Sequence, residues 1–157
     1  MSNVLRLSLV NMYAKTANVS NAHAVFDAST KQEIVVWNVM IMASSYSGEP
    51  GKAVLLFEVM QTEGIIPDKA TFASLLSVFS NEENLLEGTR MHARIVGTAV
   101  NEDVAVQNAL ISMYGKFGNL KEARKVFDGV LERSVVTWNA LIGAYGQNGY
   151  VKRCLET

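Results

Sequence analysis

Cysteine and proline are scarce in this chain: Cys154 stands alone, and only Pro50 and Pro67 constrain the backbone. A single cysteine excludes an internal disulfide and gives no support to an oxidising compartment. Together with two distant histidines, His23 and His92, it cannot supply a zinc-ligand spacing, and no metal or other cofactor is expected. Excess charge is missing as well. Lys and Arg number 14 against 15 Asp and Glu, a net charge of −1, which argues against nucleic-acid binding driven mainly by phosphate neutralisation. No apolar run approaches the roughly 20 residues that span a bilayer, so no membrane partner is expected. Met1 is followed neither by a signal peptide nor by an Arg-rich, acid-poor presequence. A targeting segment is therefore expected to be missing from this chain or never to have been there.

What remains is enough for a folded domain: 157 residues, 49% of them hydrophobic, can bury a core. Small clusters of Gly, Asn and Ser recur between apolar stretches of about ten to fifteen residues, a pattern that favours helices over sheet. The chain also matches itself. Met12, Tyr13 and Lys15 fall on Met113, Tyr114 and Lys116, an offset of 113 − 12 = 101 residues. The same offset pairs Asn18 with Asn119, Phe26-Asp27 with Phe127-Asp128, and Trp37-Asn38 with Trp138-Asn139. Recurring starts and turn signals divide the chain into five units, at about 3–33, 34–68, 69–103, 104–134 and a truncated 135–157.

Each unit reads as two antiparallel helices. In the second unit Trp37, Met40, Ile41 and Ser44 share a face at i, i+3, i+4, i+7 spacing. Gly48 to Gly51 makes the turn, with Pro50 suited to a first helical position. The following helix stops at Gly64, with Pro67 just beyond. In the fourth unit a helix through Asn108 ends near Gly118, and Asn119 is placed to cap the next, whose Leu120, Ala123, Val126 and Phe127 form an apolar stripe. One pair cannot bury both faces, so pairs must stack.

These residues resemble the plant pentatricopeptide-repeat proteins of the class that alternates three motif types. NALISMYGKFGNLKEARKVFD (108–128) and VVTWNALIGAYGQNG (135–149) look like its short and standard motifs, and FASLLSVFSNEENLLEGTRMHARIV (72–96) looks like its long one. The succession of 31-, 35-, 35- and 31-residue units is more specific than any single motif. The nearest rival, the tetratricopeptide repeat, keeps a fixed 34-residue period and binds peptides or protein surfaces as a scaffold.

The resemblance implies an all-α fold, an α-solenoid (right-handed superhelix) of stacked helix-turn-helix repeats that binds single-stranded RNA, one base per repeat. Carried over by position, the fifth residues of the units are Leu7, Asn38, Ala73, Asn108 and Asn139, and the last residues are Glu33, Asp68, Asp103 and Ser134. The second residues, implied to pack against base faces, are Val4, Val35, Ala70, Ala105 and Val136. RNA base reading is thus expected at Asn38, Asp68, Asn108, Ser134 and Asn139, with base packing at Val35, Ala105 and Val136. Asn38 with Asp68 resembles the family's uridine pair and Asn108 with Ser134 its cytidine pair, while Asn139 alone implies a pyrimidine. Leu7 and Ala73 cannot hydrogen-bond a base. The implied location is a chloroplast or mitochondrion, with organellar RNA-editing or processing proteins as partners and no DNA.

Plainer readings stand beside these. Each Asn could be a solvated or capping amide, and turn formation alone would account for Asp68 and Ser134. Trp37, Trp138, Phe26, Phe127, Met12 and Met113 are expected in the core, and His23 and His92 are expected to be solvated or packed. Gly48-Glu-Pro-Gly-Lys52 resembles a phosphate loop only superficially, since Ala53 stands where a metal-reaching Ser or Thr would. Lys116, Lys121, Arg124, Lys125 and Arg133 read as a solvated outer face. Asn18-Val19-Ser20 is a formal glycosylation sequon. No nucleophile and base pair can be assembled, and the H-x-E with C-x-x-C pattern of nucleic-acid deaminases is absent, so no catalytic residue is expected.

Overall fold

The computed structural model describes residues 34–46, 48–79 and 82–150. Leu7, Val4, Glu33, Met12, Phe26, His23, Asn18, the rest of the unit at 3–33, and residues 151–157 with Cys154 lie outside them. Among the described residues there are α-helices and short 3-10 turns but no strand. The helices are α1 (Ile34–Tyr46), α2 (Pro50–Thr62), α3 (Lys69–Val78), α4 (Leu85–Ile95), α5 (Val104–Lys116), α6 (Leu120–Gly129) and α7 (Val135–Gln147). The first helices of successive pairs start at 34, 69, 104 and 135, so their spacings are 35, 35 and 31 residues. The chain divides into two compact units between Val78 and Phe79.

In the first of these, α1 packs against both α2 and α3. Its sequence, IVVWNVMIMASSY, is apolar almost all round, as a helix flanked by others must be. Trp37, Met40, Ile41 and Ser44 are buried as their spacing predicts, with Ala43 beside them, and the Ser44 hydroxyl donates to the Met40 carbonyl at 3.3 Å. Pro50 occupies the first turn of α2, where its missing N–H costs nothing. Lys52 reaches back to Glu49 at 2.7 Å, so the GEPGK stretch is a helix-to-helix turn. The helix stops through Gly64, whose φ of +77° only glycine adopts without strain. There the Ile65 N–H donates to the Met60 carbonyl at 3.1 Å and the Gly64 N–H to the Gln61 carbonyl at 3.0 Å, a Schellman closure. Phe57 of α2 meets Phe72 of α3 at 5.6 Å between ring centroids.

The second unit repeats the plan with α5 against α6 and α7. Gly118, at φ +71°, closes α5 in the same way, with Asn119 N–H on the Tyr114 carbonyl at 2.9 Å. Asn119 then caps α6 by accepting from the Glu122 N–H at 3.2 Å. Helix α6 buries Ala123 and Phe127 and exposes Lys121, Arg124 and Lys125, the pattern of a helix with one wet face. Helices α5 and α7 approach closely at Gly115, where an added Cβ would lie 2.5 Å from the Ala144 Cβ. Asn148 ties the two together by donating to the Gly115 and Ala144 carbonyls at 2.8 and 2.7 Å. Trp138, expected in the core, is less enclosed than the fully buried Trp37; it packs edge-on against Phe127, 4.8 Å between centroids.

Candidate nucleic-acid interface

The first helix of each pair carries an open stripe three and four residues apart. On α1 Val35 and Met42 are 47% and 41% exposed on either side of Asn38. The matching positions are Ala70, Ala73 and Ser77 on α3, Ala105, Asn108 and Ser112 on α5, and Val136, Asn139 and Gly143 on α7. Ala70, Ser77, Ala105, Ser112, Val136 and Asn139 are exposed and Ala73, Asn108 and Gly143 half-buried. Spacing of i, i+3, i+7 keeps all three on one side of a helix, so the residues in second and fifth place share a side, with the second place exposed and the fifth more enclosed at Asn38, Ala73 and Asn108.

The last residue of each unit sits where the next first helix begins. Asp68 accepts the Thr71 N–H at 2.8 Å and the Thr71 hydroxyl at 2.9 Å on its Oδ1, while Thr71 Oγ1 accepts the Asp68 N–H at 3.1 Å. This is a reciprocal cap with Thr in the third helical position. Ser134 and Thr137 form the same box ahead of α7, with bonds of 3.2 and 3.3 Å. Asp103 caps α5 through the Ala105 N–H at 2.9 Å. The turn-forming role open to Asp68 and Ser134 is therefore real, and Ser134 fills it while remaining exposed.

The structure brings Asn38 and Asp68 together. Asn38 Nδ2 donates to Asp68 Oδ1 at 3.2 Å, the same oxygen that Thr71 holds. Burial pushes the Asp68 carboxyl up, but hydrogen bonds from the Thr71 N–H and hydroxyl, the Asn38 amide and the Ala70 N–H outweigh it and hold the group below its ordinary value. Asn38 is only 9% exposed, and its Oδ1 is sealed from solvent without a partner. Asn108 is different. Its Oδ1 is also buried and unpartnered, but among the described residues no hydrogen bond joins it to Ser134, whose hydroxyl is engaged by Thr137. Asn139 is exposed on α7.

Thr71 and Thr137, both fully buried, bond Asp68 and Ser134 and are not among the residues the resemblance singles out. Their signal is present in the sequence as Asp or Ser followed three places later by Thr. Of the basic cluster, Arg124 pairs with Asp128 at 3.0 Å and Lys125 with Glu122 at 3.6 Å. Arg133 lies 4.7 Å over the Phe127 ring and donates to the Phe127 and Asp128 carbonyls. Lys116 and Lys121 are exposed. His92 is packed: its Nδ1 lies 2.8 Å from the Tyr114 hydroxyl, and burial, against Glu122 and with Lys125, pushes its pKa down and favours the neutral ring. Among the described residues no group of His, Cys, Asp and Glu could hold a metal ion, and no helix is long and apolar enough to cross a membrane.

Comparison with known proteins agrees with this geometry. The PPR repeat family model matches residues 32–81, and the PPR repeat model matches 108–135 and 136–157. A mitochondrial pentatricopeptide repeat-containing protein of Arabidopsis thaliana is 38% identical over 83% of this chain and 13% of its own length. A chloroplastic one from the same plant is 33% identical over 94% of this chain and 18% of its own. The chain thus spans less than a quarter of either relative. Among solved structures, the pentatricopeptide repeat protein PPR10 in complex with an 18-nt psaJ RNA element superposes with a TM-score of 0.82 at 18% identity, over 99% of this chain and 24% of that one. That likeness shows the fold, the all-α solenoid of stacked helical pairs. With repeat models matching well over half of its residues, and relatives sharing about a third of them along most of its length, the chain belongs to the pentatricopeptide repeat family.

Proposed function

We propose that the chain is a sequence-selective array for single-stranded RNA, with units at 34–68, 69–103, 104–134 and 135–157 and no catalytic chemistry of its own. Units 34–68 and 104–134 each address one base through the fifth residue of the first helix and the last residue of the unit, and unit 135–157 through its fifth residue. The observation that carries the reading is the hydrogen bond from Asn38 to Asp68. A carboxylate can only accept, so the amide must turn its nitrogen towards Asp68. Its oxygen is sealed away, and a base edge is left facing a donor. That suits O4 of uracil and opposes the N4 amine of cytosine. The Asn108 oxygen is buried as well, but no carboxylate holds its nitrogen, so on binding the amide is free to rotate and present its acceptor to cytosine. Val35, Ala105 and Val136 supply the apolar contact to base faces, a broad one at the valines and a slight one at Ala105.

RNA as the ligand is also in keeping with PPR10, whose solved complex contains an RNA element. The relatives' names support a chloroplast or mitochondrion as the location of this protein, with RNA-editing or processing proteins as partners there. The preferred core is 5′-U-N-C-Y-3′, with unit 69–103 blank because of Ala73.

The test is competition between RNAs that differ only at the third base. Ser134→Asp should turn the Asn108 amide as Asp68 turns Asn38, and shift the C-to-U preference towards U by about fivefold, or about 1 kcal/mol. An unchanged ratio with both proteins folded removes Ser134 from the reading set. Equal binding to poly-A, together with tight capture of a protein partner, would favour a tetratricopeptide-like interaction scaffold instead.

A further inference from the structure

We propose that Thr71 is a specificity-positioning residue of this interface: acting through Asp68, it sets which end of the Asn38 amide faces a base. This rests on the base-reading role assigned above to Asn38 and Asp68. Thr71 is fully buried, so it acts on a base only through another residue, and its N–H and hydroxyl are both committed to Asp68. The hydroxyl donates to Asp68 Oδ1 at 2.9 Å and accepts the Asp68 N–H at 3.1 Å, and the Thr71 N–H donates to the same Oδ1 at 2.8 Å. The Asn38 amide is the third donor to that oxygen, at 3.2 Å. A carboxylate oxygen held by two short bonds from one rigid side chain and its backbone has no freedom to rotate away from the third. β-Branching adds to this, because χ1 of Thr is restricted by its two heavy atoms.

The three described junctions provide an internal comparison. Thr71 follows unit 34–68, whose fifth residue is Asn38, and Thr137 follows unit 104–134, whose fifth residue is Asn108. After unit 69–103, whose fifth residue is Ala73, the same place is taken by Val106. The hydroxyl is present where the fifth residue is an amide and absent where it is not, and among the described residues the group it braces bonds the amide at the Asn38 junction. Helix capping alone does not account for that distribution, since Asp103 caps α5 without it.

The experiment uses the 157-residue chain with Thr71→Val, which keeps the volume and removes the hydroxyl, Thr71→Ser, which keeps the hydroxyl, and Asn38→Ala. Carbon-detected NMR follows the Asp68 carboxyl and the Asn38 side-chain amide without RNA, and competition binding follows U against C at the base addressed by unit 34–68. We expect Thr71→Val to raise the Asp68 titration towards the ordinary carboxylate value, to release the Asn38 amide protons to faster exchange, and to lower the U-to-C ratio by about threefold. Thr71→Ser should restore all three. If Thr71→Val does not fold, Thr71→Ala with the same readouts takes its place. A wild-type preference for U that survives loss of the hydroxyl unchanged would make Thr71 a helix cap and no more, leaving the base-reading role intact. A wild type that, like Asn38→Ala, shows no preference would overturn the base-reading role and this proposal with it.

Discussion

At the level of single residues, charge and hydroxyl chemistry at the ends of units do two jobs at once. Asp68 caps α3 and orients Asn38 with the same oxygen, which ties its ionisation to both. Its carboxyl is held below the ordinary value of 3.8, so the folded protein binds its proton less readily than the unfolded chain does. The stabilisation is therefore complete above the ordinary value and is lost as pH falls through the folded one. Asp68→Ala should cost about 1 kcal/mol at pH 7, and in urea titrations the gap to wild type should narrow only below about pH 4. A gap that stays constant to pH 3 would mean that the carboxylate charge plays no part. Much of this site was legible: positional transfer put Asn38 beside Asp68, and the turn chemistry of Asp and Ser was visible in the sequence. The burial of Asn38 and the lack of a bond between Asn108 and Ser134 were not. Both depend on where neighbouring side chains come to rest, and both Asn residues occupy the same repeat position.

Among the helices, starts and stops were readable because capping is local. Pro50, Gly64, Gly118 and Asn119 act within a few residues of themselves, and the structure uses each as its chemistry predicts. The short 3-10 turns at Glu82–Asn84 and Ala99–Glu102 were not foreseen, because no Gly or Pro within them marks a change of winding. Packing between helices divides glycines that look alike in sequence. Gly115→Ala should destabilise the protein by about 1–3 kcal/mol, because the new methyl meets Ala144 on α7. Gly143 lies inside α7 with open space where a Cβ would go, and Gly143→Ala should stabilise by up to about 1 kcal/mol through helix propensity. Thermal unfolding of the two variants separates these effects. A similar response from both would show that α5 and α7 do not approach at Gly115 as described.

For the molecule as a whole, balanced charge sets the terms of any encounter with RNA. The net charge is −1, and with Arg124, Lys125 and Arg133 engaged within α6 and its end, the basic cluster offers phosphates only Lys116 and Lys121. Binding to a matched 5′-U-N-C-Y-3′ RNA should therefore be weak, and log affinity should fall with log salt at a slope no steeper than about −2, since each phosphate neutralised on a single strand contributes roughly −0.7. Nanomolar binding at physiological salt, or a much steeper slope, would show that phosphate contacts dominate after all. The double use of Asp68 also has a bearing on attempts to recode such arrays by transplanting modules. A cut between residues 68 and 69 separates the carboxylate from the threonine that anchors it. A donor segment spliced there would inherit whatever residue the host carries three places on, and a host with valine, as at Val106, would receive an Asn and Asp pair with nothing to brace it. The transferable cassette runs to Thr71, overlapping its neighbour by three residues.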